Sequence, residues 1–408
     1  MGINLQNLKK YTLALYIIIF TITSSEIANR ICLITTVGIC GISYLTNADF
    51  RYKGNYYIRA LLLYGIMLLA SMFYTISPEA RAIKHLTGYV TMFVVVFFVV
   101  DSIRTIDDVK FFLKVFIMAA LANCVATYAR VGSEAFELLG NTETQFRLSA
   151  EEQNANVVGM CCAYGAIFSL HFLTREKPGG RAKVFYMAAF VINFVFGLLT
   201  GSRKALLMLF AGTFLVLYYK SILDKNAIKV LGKVLGAIIA VIALFYYIMN
   251  SELFSVIGER LEGLIAGFVG GNKIDHSTMD RMYMTKIGWQ VFWQYPIIGQ
   301  GVCASYRYFL TYSHSNIIEI LMNTGIVGFF IFYKPFFTSI VSLFKQDRKD
   351  PLYPIMLFII FWLLFGGFGL VFYYSKSEMT ILAIATSWLI LKEKEKNVKK
   401  NEERSEKS

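Results

Sequence analysis

The sequence predicts an all-α integral membrane protein of about twelve transmembrane helices, with one large extracytoplasmic loop between helices 9 and 10. Three observations predict it. The 408 residues are 56% hydrophobic and only 16% charged, with a mean hydropathy of +0.55, too apolar for a soluble domain with a charged skin. Apolar windows of roughly 17–25 residues, the length that crosses a bilayer, recur along nearly the whole chain. These windows are continuous, as in VTMFVVVFFVV at 90–100, where a β-barrel would alternate, and a helix satisfies its own backbone in lipid.

Taken in order, spans are predicted at about 11–28 and 31–46, then after a basic link at about 60–76 and 86–100. Ser77-Pro78-Glu79 breaks the chain between the last two. A fifth span covers about 110–129, and a loop with Arg147, Asn154 and Asn156 leads to a sixth at about 157–173. The seventh, about 184–199, is separated from the eighth, about 205–219, by the short turn Thr200-Gly201-Ser202-Arg203-Lys204. A ninth is expected at about 230–249. The polar interval 250–315 follows, too long for a tether and read as a small folded lid. The tenth span opens near Asn316 and is expected to tilt or break at Gly325, Gly328 or Pro335. Spans at about 352–372 and 378–391 complete one membrane domain over 1–391, and 392–408 forms a charged cytoplasmic tail.

Lysine and arginine are more frequent in the links on the side of the termini, which places both termini in the cytoplasm and the 250–315 interval outside. The net charge of +13 is scattered between spans instead of gathered on a soluble face, so no nucleic-acid partner is expected. Five of the six cysteines fall in or beside apolar spans and Cys303 stands alone in the long interval, which implies no disulfide framework. Matched halves with interrupted helices, the mark of many secondary transporters, are not evident. A transporter or flippase for a lipid-linked or small anionic substrate remains the alternative class.

Three features of the outer side invite chemistry. Arg203 and Lys204 in the five-residue turn run against the orientation trend: either they snorkel to headgroups, or they face an anion at the start of span eight. From Asp280 to Gly301, Arg281 precedes Trp289, Trp293 and the turn Pro296-Ile-Ile-Gly-Gln-Gly301. This segment reads as an amphipathic helix on the membrane, which either anchors the lid or roofs a cleft with Arg281 at a headgroup phosphate. His314 precedes Asn316 and Glu319, whose spacing is that of a capping box; an imidazole at a helix start is ordinary surface or a proton acceptor. The outer histidines lack metal-ligand spacing, and no nucleotide-binding glycine loop is present. No metal or cofactor is therefore expected, and a donor on this face must carry its own activation, as a lipid-linked substrate does.

These pieces together, TGSRKALL at 200–207, Arg281 leading through Trp289 to PIIGQG, and HSNIIEILMNTGIVG at 314–328, resemble the O-antigen ligase and polymerase superfamily of bacterial membrane glycosyltransferases, of GT-C-like fold. The resemblance implies transfer of a glycan from an undecaprenyl-diphosphate carrier to an acceptor hydroxyl at the outer face of the inner or plasma membrane, with inversion and without metal. The acceptor is a second lipid-linked repeat in a polysaccharide polymerase, lipid A core in a ligase, or protein. In family terms Arg203 and Arg281 match the arginines that hold the diphosphate, and His314 the histidine that activates the acceptor. Lys204, Arg147, Asn154, Asn156 and Arg81 are further candidates for substrate contact, with snorkelling the competing account for Lys204 and Arg81.

Overall fold

The computed structural model describes residues 5–23, 25–46, 55–132, 154–176, 178–223, 232, 236 and 276–405. Apart from residues 232 and 236, the predicted ninth span lies outside the described residues, as do Arg147 and the first part of the 250–315 interval. Every described element is helical: α1 (Leu5–Ile22), α2 (Glu26–Thr46), α3 (Tyr56–Ser71), α4 (Glu79–Ser102), α5 (Ile106–Val131), α6 (Ala155–Arg175), α7 (Gly180–Leu199), α8 (Arg203–Leu223), α9 (His276–Gln294), α10 (Ser305–Phe309), α11 (Asn316–Phe344), α12 (Tyr353–Gly366) and α13 (Lys376–Ser405). Among the described residues six helices, α2, α4, α5, α6, α7 and α11, are long and apolar enough to cross a membrane, which makes this an integral membrane protein. α3 and α12 are apolar but shorter.

The outer faces of the peripheral helices carry exposed aliphatic stripes at helical spacing, Ile27, Ile31 and Ile34 on α2, and Val184, Met187, Val191 and Val195 on α7. In water such stripes would be a liability; against lipid they are the expected skin. α6 lies at the centre and is buried along most of its length. It can do so because of small residues: a Cβ at Gly165 would lie 2.4 Å from that of Ala120 on α5. Close approach of this kind is how helices associate where no hydrophobic drive operates.

The two ends of the bundle differ. One is tied by ion pairs, Lys9 with Asp101, Lys10 with Asp108 at 2.7 Å, Lys110 with Glu176 at 2.8 Å and Lys392 with Asp350 at 3.1 Å. The other end is built from loops and α9, and carries the candidate site.

There the expected break in the tenth span falls at Gly325, where φ is +62° inside α11. The free backbone groups around the break are taken up by the PIIGQG segment, which lies along it like a short paired strand. Gln300 N–H donates to the carbonyl of Met322 and Gly301 N–H to that of Asn323, while Ile326 and Val327 N–H donate to Pro296 and Ile297. Contact is so close that a Cβ at Gly299 (φ +67°) would sit 2.6 Å from the backbone of Asn323, and one at Gly325 2.4 Å from that of Ile297. The two glycine motifs are thus halves of one joint. The charged residues after 391 continue α13 as far as Ser405.

Candidate functional site

The turn between α7 and α8 is shaped by Gly201 at φ +57° and fixed against the start of α6. Ser202 Oγ donates to Asn156 Oδ1 at 3.0 Å, and Asn154 caps α6 by accepting from Asn156 N–H at 2.9 Å. Gly159 lets the turn come in, since a Cβ there would meet Thr200 Oγ1 at 2.5 Å. Arg203 opens α8 from this rigid base, and its Nη1 donates to Thr278 Oγ1 at 3.1 Å, joining it to the first turns of α9. Thr278 and Arg281, three residues apart, share a face of that helix.

α9 packs on α11 through Ile287 and Val291, which join Ile318 and Met322 in a small apolar cluster, with Gly288 against Ile318. Met282, Tyr283 and Trp293 remain exposed on its other side. The sequence placed Arg281 at the start of this helix; it lies instead more than a turn inside α9, since residues 276–280 are already helical.

His314 stands in a tight loop with φ +59°, a conformation costly for a side chain with a Cβ and held by its neighbours. Before it, Ser313 N–H donates to Glu319 Oε2 at 2.7 Å and Ser313 Oγ to the carbonyl of Ser315 at 2.9 Å. After it, Ser315 caps α11 by accepting from Ile318 N–H. The capping box expected from Asn316 and Glu319 is therefore not formed. Asn316 is buried and turned toward the loop after α12, its Oδ1 accepting from Phe372 and Tyr373 N–H at 3.0 Å and its Nδ2 donating to Tyr333 Oη. Glu319, fully buried, accepts from Ser305 Oγ at 2.6 Å as well as from Ser313.

The imidazole of His314 lies 4.3 Å, centroid to centroid, from the ring of Tyr312. Burial, followed by the positive charges of Arg281 and Lys204, pushes its pKa down to about 4, against a smaller opposing pull from Asp280. The structure thus brings Arg281 and Lys204 near His314 and ties Arg203, through Thr278, to the helix that carries Arg281, with Asn156 holding the turn beneath. Such a site presents cations toward an anion and a neutral imidazole beside them.

Asn154 lines an adjacent cavity of about 220 Å³ that reaches Tyr164 and Glu378. Arg81 lines a different cavity, of about 490 Å³, shared with Tyr312 and Glu319. Glu319, Glu378, Thr278 and Tyr312 were not singled out from the sequence as site residues. For Glu378 a signal existed, the Ser375-x-x-Glu378 pattern at the start of α13, where Ser375 Oγ does donate to the Glu378 carboxylate. Among the described residues no group of three or more His, Cys, Asp or Glu side chains is placed to hold a metal ion.

Fold and site define a multi-pass membrane protein whose loop-bearing end sets Arg281 and Lys204 beside a histidine. Residues 188–333 match the family model described as O-antigen ligase, which places this stretch in the O-antigen ligase and polymerase superfamily and supports the resemblance read from the motifs. The matched stretch contains Arg203, Lys204, Arg281 and His314. A search of curated proteins gave no match.

Proposed function

We propose that the protein transfers an oligosaccharide from a polyprenyl (undecaprenyl) diphosphate carrier to an acceptor hydroxyl at the outer face of the bacterial inner or plasma membrane. The observation that supports this is the nearness of Lys204 and Arg281 to a neutral His314, with Arg203 bonded to Thr278 on the helix that carries Arg281. The two guanidinium groups, each able to grip phosphate with a fork of donors, hold the diphosphate, with Lys204 adding charge. His314 accepts the proton of the acceptor hydroxyl as its oxygen bonds to the anomeric carbon. The bond from that carbon to the diphosphate oxygen breaks, its electron pair stays on the diphosphate, and the extra negative charge meets the cations already in place. One displacement inverts the anomeric centre, and in this reading side chains supply the charge that a metal supplies elsewhere.

Diphosphate entering the site also offsets the field of Arg281 and Lys204 on His314. Its basicity then rises from the value of about 4 in the free protein toward the range where a general base works best. Basic residues at the opposite end, Lys9, Lys10, Lys110 and Lys392, support the orientation with that end and both termini in the cytoplasm. A polysaccharide polymerase, for O-antigen, capsule or exopolysaccharide, is the preferred form, with a ligase using lipid A core second.

The test is purified protein with an undecaprenyl-diphosphate-linked oligosaccharide and an acceptor glycan, reading undecaprenyl diphosphate released. Release by the native protein and its loss in His314→Ala, Arg203→Ala and Arg281→Ala is the expected result. Full product from all three variants, or movement of intact donor across vesicles with no release, refutes the reading.

A further inference from the structure

The cavity of about 490 Å³ between the start of α4, α10 and the loop 310–312 has His85 in its lining but none of the residues assigned to the diphosphate, and it neighbours His314 through Tyr312. Tyr312 belongs to both: it lines the cavity and packs its ring 4.3 Å from that of His314. Its volume lies within the range of about 300–1,000 Å³ usual for small-molecule sites. Three tyrosines, Tyr306, Tyr312 and Tyr374, form walls, and Glu319 lies among the residues that close it. This mixture suits a sugar, which offers C–H faces to aromatic rings and hydroxyl edges to polar groups. Glu319 itself is fully buried; its carboxylate holds Ser305 and Ser313 and so fixes the wall behind the tyrosines.

Charge adds a selection. The Arg81 guanidinium stands 4.6 Å above the ring of Tyr306, so its plane is fixed over one wall while it stays exposed. Lys84, one turn further along α4, is exposed too and lies 3.8 Å from Glu26, a pair that offsets part of its charge and leaves Arg81 the stronger anion contact. Arg81, Lys84 and Tyr374 come from outside the stretch that matches the O-antigen ligase family.

We infer that this cavity is the acceptor subsite, and that it takes a saccharide carrying an anionic group, a carboxylate or a phosphate, beside Arg81 and within about one sugar unit of the hydroxyl presented to His314. The inference rests on the transfer reading for the word acceptor, but not for the binding of an acidic sugar.

The experiment measures binding to full-length protein in phosphatidylcholine nanodiscs by ligand-observed NMR, with methyl β-glucuronide, methyl β-glucoside and glucose 1-phosphate as probes. The glucuronide binds about tenfold more tightly than the glucoside, as roughly one charge-assisted contact implies, and added salt narrows the gap. In Arg81→Gln the preference falls to within about twofold while weak glucoside binding survives; Tyr306→Leu weakens both probes. Glucose 1-phosphate matching the glucuronide identifies charge as what is read, and its failure beside a binding glucuronide assigns the site to carboxylated sugars.

Equal binding of glucuronide and glucoside by the native protein overturns the proposal without need of any variant. So does binding of neither, or an Arg81 effect seen only when phosphatidylglycerol is added, which would assign Arg81 to lipid headgroups. Undecaprenyl diphosphate release, scored separately, keeps the readings apart. Release without charge preference refutes the subsite alone; Arg81-dependent binding without release refutes the transfer reading and leaves an acidic-sugar site.

Discussion

Replacing Glu319 by glutamine changes one atom's chemistry in a fully buried place, and its effect can be worked from the contacts. Both carboxylate oxygens are in use, Oε1 by Ser305 Oγ at 2.6 Å and Oε2 by Ser313 N–H at 2.7 Å. Glutamine keeps the volume and one acceptor, so one of the two donors faces an amide NH₂. The Ser305 hydroxyl can rotate and accept, so the amide oxygen stays on Ser313 N–H, and what is lost is the charge-assisted strength of these bonds, about 1–2 kcal/mol. Ser313 is the residue before His314, whose left-handed backbone depends on its flanks. If about 2 kcal/mol of positioning is lost in the transition state, turnover falls roughly 30-fold. The assay is undecaprenyl diphosphate release with kcat and KM separated, beside thermal unfolding in the same detergent. The loss is expected in kcat, with donor KM little changed because Arg203 and Arg281 are untouched, and with a Tm within a few degrees of native. Native kcat in a folded Glu319→Gln protein would refute the claim that this carboxylate sets the histidine.

Arg203→Lys keeps charge but loses the fork and the reach to Thr278, and about a 10- to 50-fold drop in kcat/KM is expected, with Arg203→Ala falling about 100-fold or more. In ¹³C-histidine-labelled protein His314 should titrate near 4, below the ordinary value, and move upward in Arg281→Gln or on adding undecaprenyl diphosphate, because either change removes positive field. Since protonation disables the base, kcat/KM of the native protein should hold from neutral pH down to about 5 and fall below it; a loss already complete at pH 6 contradicts the assignment. Gly299→Ala should lower stability by about 3 kcal/mol or more, combining a left-handed penalty with two broken backbone bonds, whereas Gly38→Ala, in a helix with open space around it, should be neutral or stabilising.

Apolar runs located most of the described helices, but their ends marked the lipid boundary and not the helix boundary. α4 was expected from about 86 and begins at Glu79, because its first two turns, with Arg81, Lys84 and His85, stand in the polar zone where hydropathy is silent. α13 runs beyond 391 for the same reason. In the opposite sense, α12 ends at Gly366 instead of near 372, as the chain turns through Gly367 and Gly369 to reach Asn316. Arg203, Arg281 and His314 could be picked out by residue type at loop ends. The partners of Glu319 could not, since Ser305 lies 14 residues away and two candidate caps, Ser315 and Asn316, sit side by side. Nor does any local pattern say that the PIIGQG turn is the missing half of a broken helix.

That seam constrains how the protein can be re-engineered. Segments 296–301 and 322–327 exchange backbone bonds in fixed register, so neither can gain or lose a residue alone without leaving backbone groups unpaired. Chimaeras that graft an outer lid from a relative, in order to change which polymer is made, should therefore carry both stretches across as a single cassette. A junction cut between them would give a misfolded product whatever its sugar preference.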